Sequence, residues 1–214
     1  MLAYWPIHGV WYFLLQQTTM ARDPIAIVCA WDYNIPFCEW FVIPYAMWYV
    51  QLGLMGLYTF VKRPSKFLRL SLMVAGGAFV CMLICTAIPM YFDRSGMESF
   101  PRDNLLVDAV KLIRGIDPPT TVFPSMHVYV SLALHICLCK DEKLANHKLL
   151  KASSLVLSLL ITASTVLIKQ HSIIDVIAAI VLVPIMYCVA YVPKYSRLCK
   201  FFGADSKVTA CKGV

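Results

Sequence analysis

The sequence predicts an all-α integral membrane protein, built as a bundle of six transmembrane helices in a single domain that covers residues 1–214. Of the 214 residues, 60% are hydrophobic and 14% are charged, whereas a soluble domain carries about 25% charged residues. The mean hydropathy is +0.70. Six stretches approach the length of about 20 apolar residues that a helix needs to cross a bilayer core of about 30 Å.

The six predicted spans follow one another with short connections. The first is the weakest, because it contains a proline, a histidine and two glutamines. The fourth is short and carries His127 and His135, and the sixth contains one charged residue, Asp175. In chain order, the predicted spans cover about residues 2–20, 38–61, 70–92, 122–139, 152–168 and 172–193.

The basic residues predict how these spans are oriented. Segments 62–69 and 140–151 and the tail from residue 194 each carry at least four lysines or arginines. Short basic segments remain on the cytoplasmic side of a membrane. Six spans place all three segments on that side, together with both termini. The net charge of +7 is therefore a signal of topology, and we expect no nucleic acid as a partner.

The longest outward segment, residues 93–121, contains an amphipathic stretch at 103–114. It predicts an interfacial helix on the outer leaflet. The alternative is a loop helix that simply packs on the bundle. The apolar face of this helix would consist of Leu105, Leu106, Ala109, Val110, Leu112 and Ile113, and the polar face of Asp103, Asp108, Lys111 and Arg114.

Two histidines return to the outer face of the membrane in this topology. His127 opens the fourth span, and His171 stands between the fifth and sixth spans. Asp175 follows His171 by four residues, which places both on one face of a helix, one turn apart. A carboxylate in that position can hold one ring nitrogen and raise the basicity of the other. This pattern is typical of an activated nucleophile or base.

Pro124 and Ser125 precede His127 at the predicted start of the fourth span. Free backbone N–H groups at a helix start bind anions, and Ser125 adds a hydroxyl, so the stretch predicts a phosphate cradle. Two alternatives are a purely structural role for the histidines and a metal site. A metal would need a third ligand, which Asp175 offers, but the spacing also fits a hydrogen-bonded pair. We expect no metal and no cofactor.

Two motifs resemble those of the type 2 phosphatidic acid phosphatase (PAP2) superfamily. FPSMH, residues 123–127, is similar to its PSGH-type motif, and STVLIKQHSIID, residues 164–175, is similar to its third motif. The resemblance implies a six-helix membrane bundle with a family-like core at about 68–193. It also implies that His171 attacks phosphorus and forms a phosphohistidine, with Asp175 behind it. By the same resemblance His127 protonates the leaving group, Ser125 helps to bind phosphate, and no metal is required.

The chain departs from the family's motifs at several positions. Thr165 stands where an arginine is expected, Met126 replaces a glycine, and the first motif is absent in strict form. The similar string KRP at 62–64 falls on the cytoplasmic side. Phosphate needs positive donors, so we expect a substrate-binding set of Lys169 with Arg94 or Arg102. The alternative is that these three are ordinary loop charges.

The departures resemble a divergent branch near the inositol-phosphoryl-ceramide and sphingomyelin synthases. The predicted function is a membrane lipid-phosphate phosphatase acting on a lipid phosphate or diphosphate. One alternative is a lipid phosphotransferase that uses the same site, and another is a non-catalytic lipid binder or transporter. The short loops and the lack of a targeting segment lead us to expect a bacterial inner membrane, with the active site facing outward. The oligomeric state and a pairing of Cys29 with Cys38 stay open.

Overall fold

A computed structural model describes residues 4–97, 100–144 and 146–192. In these ranges the chain forms eight α-helices and two short strands, with two single turns of 3-10 helix at Met20–Arg22 and Glu39–Phe41. The predicted cytoplasmic tail, residues 194–214, lies outside the described residues. The helices are α1 Tyr4–Thr18, α2 Ala30–Asn34, α3 Val42–Lys62, α4 Pro64–Ala87, α5 Leu105–Ile116, α6 Met126–Cys139, α7 Lys148–Leu167 and α8 Ile173–Tyr191, and the strands are β1 Ile25–Ile27 and β2 Met90–Phe92.

Within the described ranges, four helices are long and apolar enough to cross a membrane. They match the predicted second, third, fifth and sixth spans, so a helical, membrane-embedded protein is confirmed at this level. Helices α1 and α6 stand at the predicted first and fourth spans, but they have 15 and 14 residues, fewer than the roughly 20 that a full crossing needs. The four long spans are Glu39–Lys62, Lys66–Ala87, Lys148–Leu167 and Ile173–Tyr191.

Helix α6 is the centre of the bundle and packs against α3, α4, α7 and α8. Its residues are mostly apolar, as in a helix enclosed by others, and the polar residues His127, Ser131 and His135 recur every fourth position on one side. Tyr129 is fully buried on α6 and donates a hydrogen bond from its hydroxyl to the carbonyl of Met73 on α4. The Tyr129 ring lies directly against Gly77 of α4, where a Cβ atom would overlap it. This glycine therefore permits the close approach of α4 and α6.

The two strands form a small parallel pair that the sequence prediction missed. Ile25 pairs with Met90 and Ile27 with Phe92, and Tyr91 forms a bridge to Thr120. Three-residue strands give too little periodicity to be recognised in a sequence. The pairing ties together the segments that follow α1, follow α4 and precede α6, at the end of the bundle where α6 begins.

Helix α5 forms close to the predicted position, and Asn104 begins it by accepting a hydrogen bond of 3.0 Å from the backbone N–H of Val107. Val107 and Val110 are completely buried against the bundle. On another side of the helix, Leu105, Leu112 and Ile116 remain 82%, 65% and 66% exposed. The helix thus packs on the bundle and also keeps an apolar stripe on its surface. Its position at the membrane interface stays a prediction.

Candidate active site

His171 lies in the turn that joins α7 to α8, and the start of α8 fixes its partner. The Asp175 carboxylate is completely buried and accepts a hydrogen bond of 3.0 Å from the backbone N–H of Ser172. The Ser172 hydroxyl in turn accepts from the N–H of Ile174 at 3.2 Å, in the reciprocal arrangement of a capping box. The same Asp175 oxygen lies 3.2 Å from Nδ1 of His171. This contact involves only one of the two ring nitrogens of His171.

His127 faces His171 from the first turn of α6, and their ring centroids are 5.7 Å apart. Ser125 caps α6, since its hydroxyl lies 3.5 Å from the N–H of Val128. The backbone N–H of Ser125 also donates to the carbonyl of Asp175 at 3.2 Å. This bond joins the starts of α6 and α8, so Ser125 brings the two histidines together. His127, His171, Asp175 and Ser125 thus gather at one place, as predicted.

A small cavity lies beside the two histidine rings. Among the contacts of the described residues, three buried polar atoms of this lining have no hydrogen-bond partner: Oγ1 of Thr120, Oγ1 of Thr121 and Nε2 of His127. Buried polar groups are normally satisfied, and each of these three can carry a proton to donate. The lining therefore offers donors for acceptor oxygens, around a space of about 10 Å³, roughly the volume that one water needs. Its lining consists of Tyr12, Asp117, Pro118, Thr120, Thr121, Val122, Met126, His127, Gln170 and His171.

Two aromatic residues of α3 enclose the ring of His127. The ring centroid of Tyr45 lies 4.4 Å and that of Trp48 lies 4.7 Å from the imidazole. The Tyr45 hydroxyl is 3.5 Å from Nδ1 of His127 and donates to Oδ2 of Asp117 at 2.8 Å. The other Asp117 oxygen accepts a hydrogen bond from the Tyr12 hydroxyl. The sequence prediction missed Asp117 and both tyrosines, because they lie on three separate segments.

Arg94, one of the predicted phosphate-binding cations, is buried close to this site. Its guanidinium donates to the side-chain carbonyl of Gln170, and the amide nitrogen of Gln170 donates to the backbone carbonyl of Asp117 at 3.2 Å. Gln170 lines the cavity, so Arg94 stands one side chain behind that wall.

The side chains of Lys169 and Arg102 are held elsewhere. The Lys169 ammonium donates to the carbonyls of Asp32 and Ile35 at 2.5 and 2.6 Å, and burial lowers its pKa. Arg102 is 62% exposed and pairs with Glu39 at 2.8 Å. Neither residue lines the cavity, so these contacts do not support the predicted role in phosphate binding. They hold loop segments in place.

Asp32 is a further buried residue that the sequence prediction missed. Its carboxylate accepts hydrogen bonds from the Ser172 hydroxyl at 2.7 Å and from the N–H groups of Ile173 and Cys29 at 2.9 and 2.8 Å. These bonds fix the start of α8 against the segment that follows β1. Asp32 therefore supports the turn that carries His171. Cys29 and Cys38 are free thiols in this structure.

The basic string at 62–64 lies at the other end of the bundle from the histidines. Arg63 pairs with Asp141 at 3.0 Å, and Asp141 follows the C-terminal end of α6, whereas His127 stands at its beginning. In the part of the chain that the structure describes, no group of three metal-ligating side chains is gathered.

Comparison of the chain with protein-family models, with curated proteins and with solved structures gives no match. The resemblance to the phosphatidic acid phosphatase superfamily therefore depends on the two motifs and on the side chains that they contain.

Proposed function

We propose that this protein is a membrane lipid-phosphate phosphatase that works through a phosphohistidine. One observation carries the proposal: His171, held by Asp175, faces His127 beside a cavity whose Thr120 and Thr121 hydroxyls lack partners. A phosphoryl group has the acceptor oxygens that these donors require. In this proposal one histidine binds phosphorus and the other transfers a proton. A purely structural role would not account for the unpartnered hydroxyls beside them.

In the first step, Nε2 of His171 attacks phosphorus while the bond from phosphorus to the leaving oxygen breaks. His127 gives the proton on its Nε2 to that oxygen. In the second step, water attacks the phosphohistidine, His127 takes the proton of that water, and the P–N bond breaks to release phosphate. General acid and base catalysis of this kind contributes roughly 10²–10⁴-fold. Positioning and charge stabilisation in a site shielded from water supply the rest.

The phosphate ligands in this proposal differ in part from those that the sequence suggested. We assign phosphate binding to the hydroxyls of Thr120 and Thr121 and to the backbone N–H groups at the start of α6. Arg94 supplies positive charge from behind Gln170. Lys169 and Arg102 are left out, because their side chains bind backbone carbonyls and Glu39 instead.

The substrate tail stays in the bilayer and enters between helices. An apolar groove of about 550 Å³ supports this route, since α1, α3 and α4 line it with Tyr4, Leu52, Gly53 and Gly76 among other residues. Tyr12 and Tyr45 of the active site lie on two of the same helices, about two turns away along each. The six spans, cytoplasmic termini and an outward-facing site in a bacterial inner membrane belong to the same proposal.

The test is phosphate release from a panel of lipid phosphates and diphosphates by the purified protein, with EDTA present. We expect release that survives the chelator and that His171→Ala abolishes. The matched control is His147→Ala, because His147 is an exposed residue at the start of α7, and it should leave release unchanged. Release that persists in His171→Ala would overturn the proposal, and loss on adding EDTA would overturn its metal independence.

One observation favours the phosphotransferase alternative. Met126, which replaces the motif's glycine, and Val122 line the cavity beside the histidines, and an apolar wall of this kind disfavours free access of water. An alcohol on a lipid or head group would then accept the phosphoryl group in the second step. Addition of candidate acceptors separates the two reactions, since transfer yields a new lipid and hydrolysis yields phosphate. A protein that does neither would be a non-catalytic lipid binder or transporter.

A further inference from the structure

Tyr45 and Asp117 form a chain of contacts to His127 that lies outside both motifs. We propose that these two are positioning residues, which hold the proton of His127 on Nδ1 and leave Nε2 directed at the phosphoryl group. The inference rests on the proposed function, because it explains how the ring of His127 is held so that it can act as acid and base. Tyr45 does not line the cavity. Asp117 does line it, but both of its carboxylate oxygens accept hydrogen bonds from tyrosine hydroxyls, so we assign it no contact with the phosphoryl group.

The direction of the hydrogen bonds follows from how many protons the groups carry. A tyrosine hydroxyl has one hydrogen, and that of Tyr45 is donated to Asp117 at 2.8 Å. Toward Nδ1 of His127, the Tyr45 oxygen can then only accept, so a hydrogen bond between the two requires a hydrogen on Nδ1. The separation of 3.5 Å is long, but catalytic hydrogen bonds are often long in an empty site and tighten when substrate binds.

The state of Nε2 agrees with this assignment. In the neutral ring a proton on Nδ1 leaves Nε2 with a lone pair, and Nε2 is buried without a hydrogen-bond partner among the described contacts. It is the ring nitrogen that remains for the cavity. Asp117 cannot turn away freely, because Tyr12 holds its other oxygen.

Burial disfavours the positively charged form of His127, and its neighbours offset a part of that cost. The imidazolium would lie against the ring of Tyr45 at 4.4 Å and that of Trp48 at 4.7 Å, and aromatic faces attract cations. Asp117 adds a negative charge one hydroxyl away, which counts for more in a site shielded from water. His171 faces His127 as a neutral nucleophile and has its own carboxylate, Asp175. Asp117 and Asp175 therefore interact with different histidines.

The protons balance over the reaction without passing through Tyr45. In the first step the doubly protonated ring loses the proton on Nε2 to the leaving oxygen and becomes the neutral form with a proton on Nδ1, and in the second step Nε2 takes a proton from water. The proton on Nδ1 and that on the Tyr45 hydroxyl stay where they are throughout. Tyr45 and Asp117 therefore hold one tautomer and do not conduct protons.

The experiment measures the nitrogen-15 shifts of the histidine rings in the full-length protein in detergent micelles, with His127 assigned through His127→Gln. We expect the neutral ring of His127 to carry its proton on Nδ1 in the wild type and to shift toward the Nε2–H form in Tyr45→Phe. The matched control is Tyr58→Phe. Tyr58 lies on the same helix, and its hydroxyl has no hydrogen-bond partner among the described residues. Tyr58→Phe should leave the tautomer of His127 unchanged. A wild-type ring protonated on Nε2, or a tautomer that Tyr45→Phe does not alter, overturns the inference.

Activity provides the second readout. For a substrate with a poor leaving group, Tyr45→Phe and Asp117→Asn should lower kcat by roughly 10- to 100-fold, a part of the whole acid–base contribution, with little change in KM. Equal slowing of the first step, the formation of the phosphoenzyme, with an activated aryl phosphate would contradict the positioning role. The tautomer is measured without turnover, so it tests the inference even if no lipid phosphate is hydrolysed. Absence of hydrolysis would instead count against the proposed function.

Discussion

His127 and His171 have the same side chain but different surroundings. His171 touches a carboxylate directly, at 3.2 Å from Asp175, whereas His127 reaches Asp117 only through the Tyr45 hydroxyl. A direct carboxylate raises the basicity of the opposite ring nitrogen, which suits a nucleophile. A ring held by a hydroxyl and enclosed by aromatic faces is better suited to give and take a proton. These surroundings lead to separate expectations for the two residues.

His127→Gln should slow the reaction of an alkyl phosphate roughly 10²–10⁴-fold, because the leaving oxygen loses its acid. With an activated aryl phosphate, whose leaving group needs no proton, the first step should recover. The second step should remain slow because water lacks its base, so the phosphohistidine should accumulate. Quenched-flow measurement of phosphoenzyme with both substrates checks this. Equal slowing of the first step with both would contradict the role of His127.

At the residue scale the sequence reveals only those parts of the site that lie close together in the chain. His171 and Asp175 are four residues apart, and Ser125 and His127 are two apart, so their spacing indicates a site. Tyr12, Tyr45 and Asp117 come from three distant segments, and no sequence pattern indicates that their side chains are in contact. Lys169 is predicted as a ligand because phosphate needs positive donors, whereas in the structure its ammonium binds two backbone carbonyls.

At the scale of the helices, the contact between α4 and α6 determines how closely the core packs. Gly77 lets the Tyr129 ring lie against the backbone of α4, as small residues do where membrane helices approach closely. Gly53 on α3 has nothing within 4 Å of the place where a Cβ would stand. The two glycines therefore form a matched pair for measurement.

Gly77→Ala should destabilise the protein by about 1–3 kcal/mol, since an added carbon would overpack the core against the Tyr129 ring. Gly53→Ala adds the same carbon in open space and should be neutral or slightly stabilising, because alanine favours a helix. Thermal unfolding of the two variants in the same detergent provides the comparison. Equal stability of both variants would contradict the packing between α4 and α6.

The helices could be predicted to different degrees. Apolar length identified the four long spans, because that signal comes from composition alone. It gave a length for α6 that is too great, since the apolar residues Val122 and Phe123 stand before the helix in a packed loop. The N-cap at Asn104 confirms the predicted helix α5, but the strands at 25–27 and 90–92 form through pairing between distant segments. A local sequence pattern does not predict pairing between distant segments.

At the scale of the whole molecule, the two ends of the bundle differ in charge and content. The histidines, Asp117 and the paired strands lie at the end where α6 begins. The ion pairs of Arg63 with Asp141 and of Lys66 with Glu142 lie at the other end. If short basic segments remain cytoplasmic, the active site faces outward.

Single cysteines test this orientation. Asp103→Cys places a thiol beside α5 at a position that is 92% exposed, and Lys143→Cys places one on the exposed loop after α6. In intact cells, an impermeant maleimide should label the first variant above the unsubstituted protein, and the second only after lysis. Labelling of Lys143→Cys in intact cells, with protection of Asp103→Cys, would reverse the topology.

The most direct test of the central claim is to locate the phosphoryl group on the protein during turnover. The purified wild type is mixed with a labelled lipid phosphate, quenched in alkali to preserve phosphohistidine, digested and analysed by mass spectrometry. We expect phosphate on His171 in the wild type and no phosphoenzyme in His171→Ala. Consumption of substrate with no phosphoenzyme, or with the phosphate on another residue, would contradict this claim.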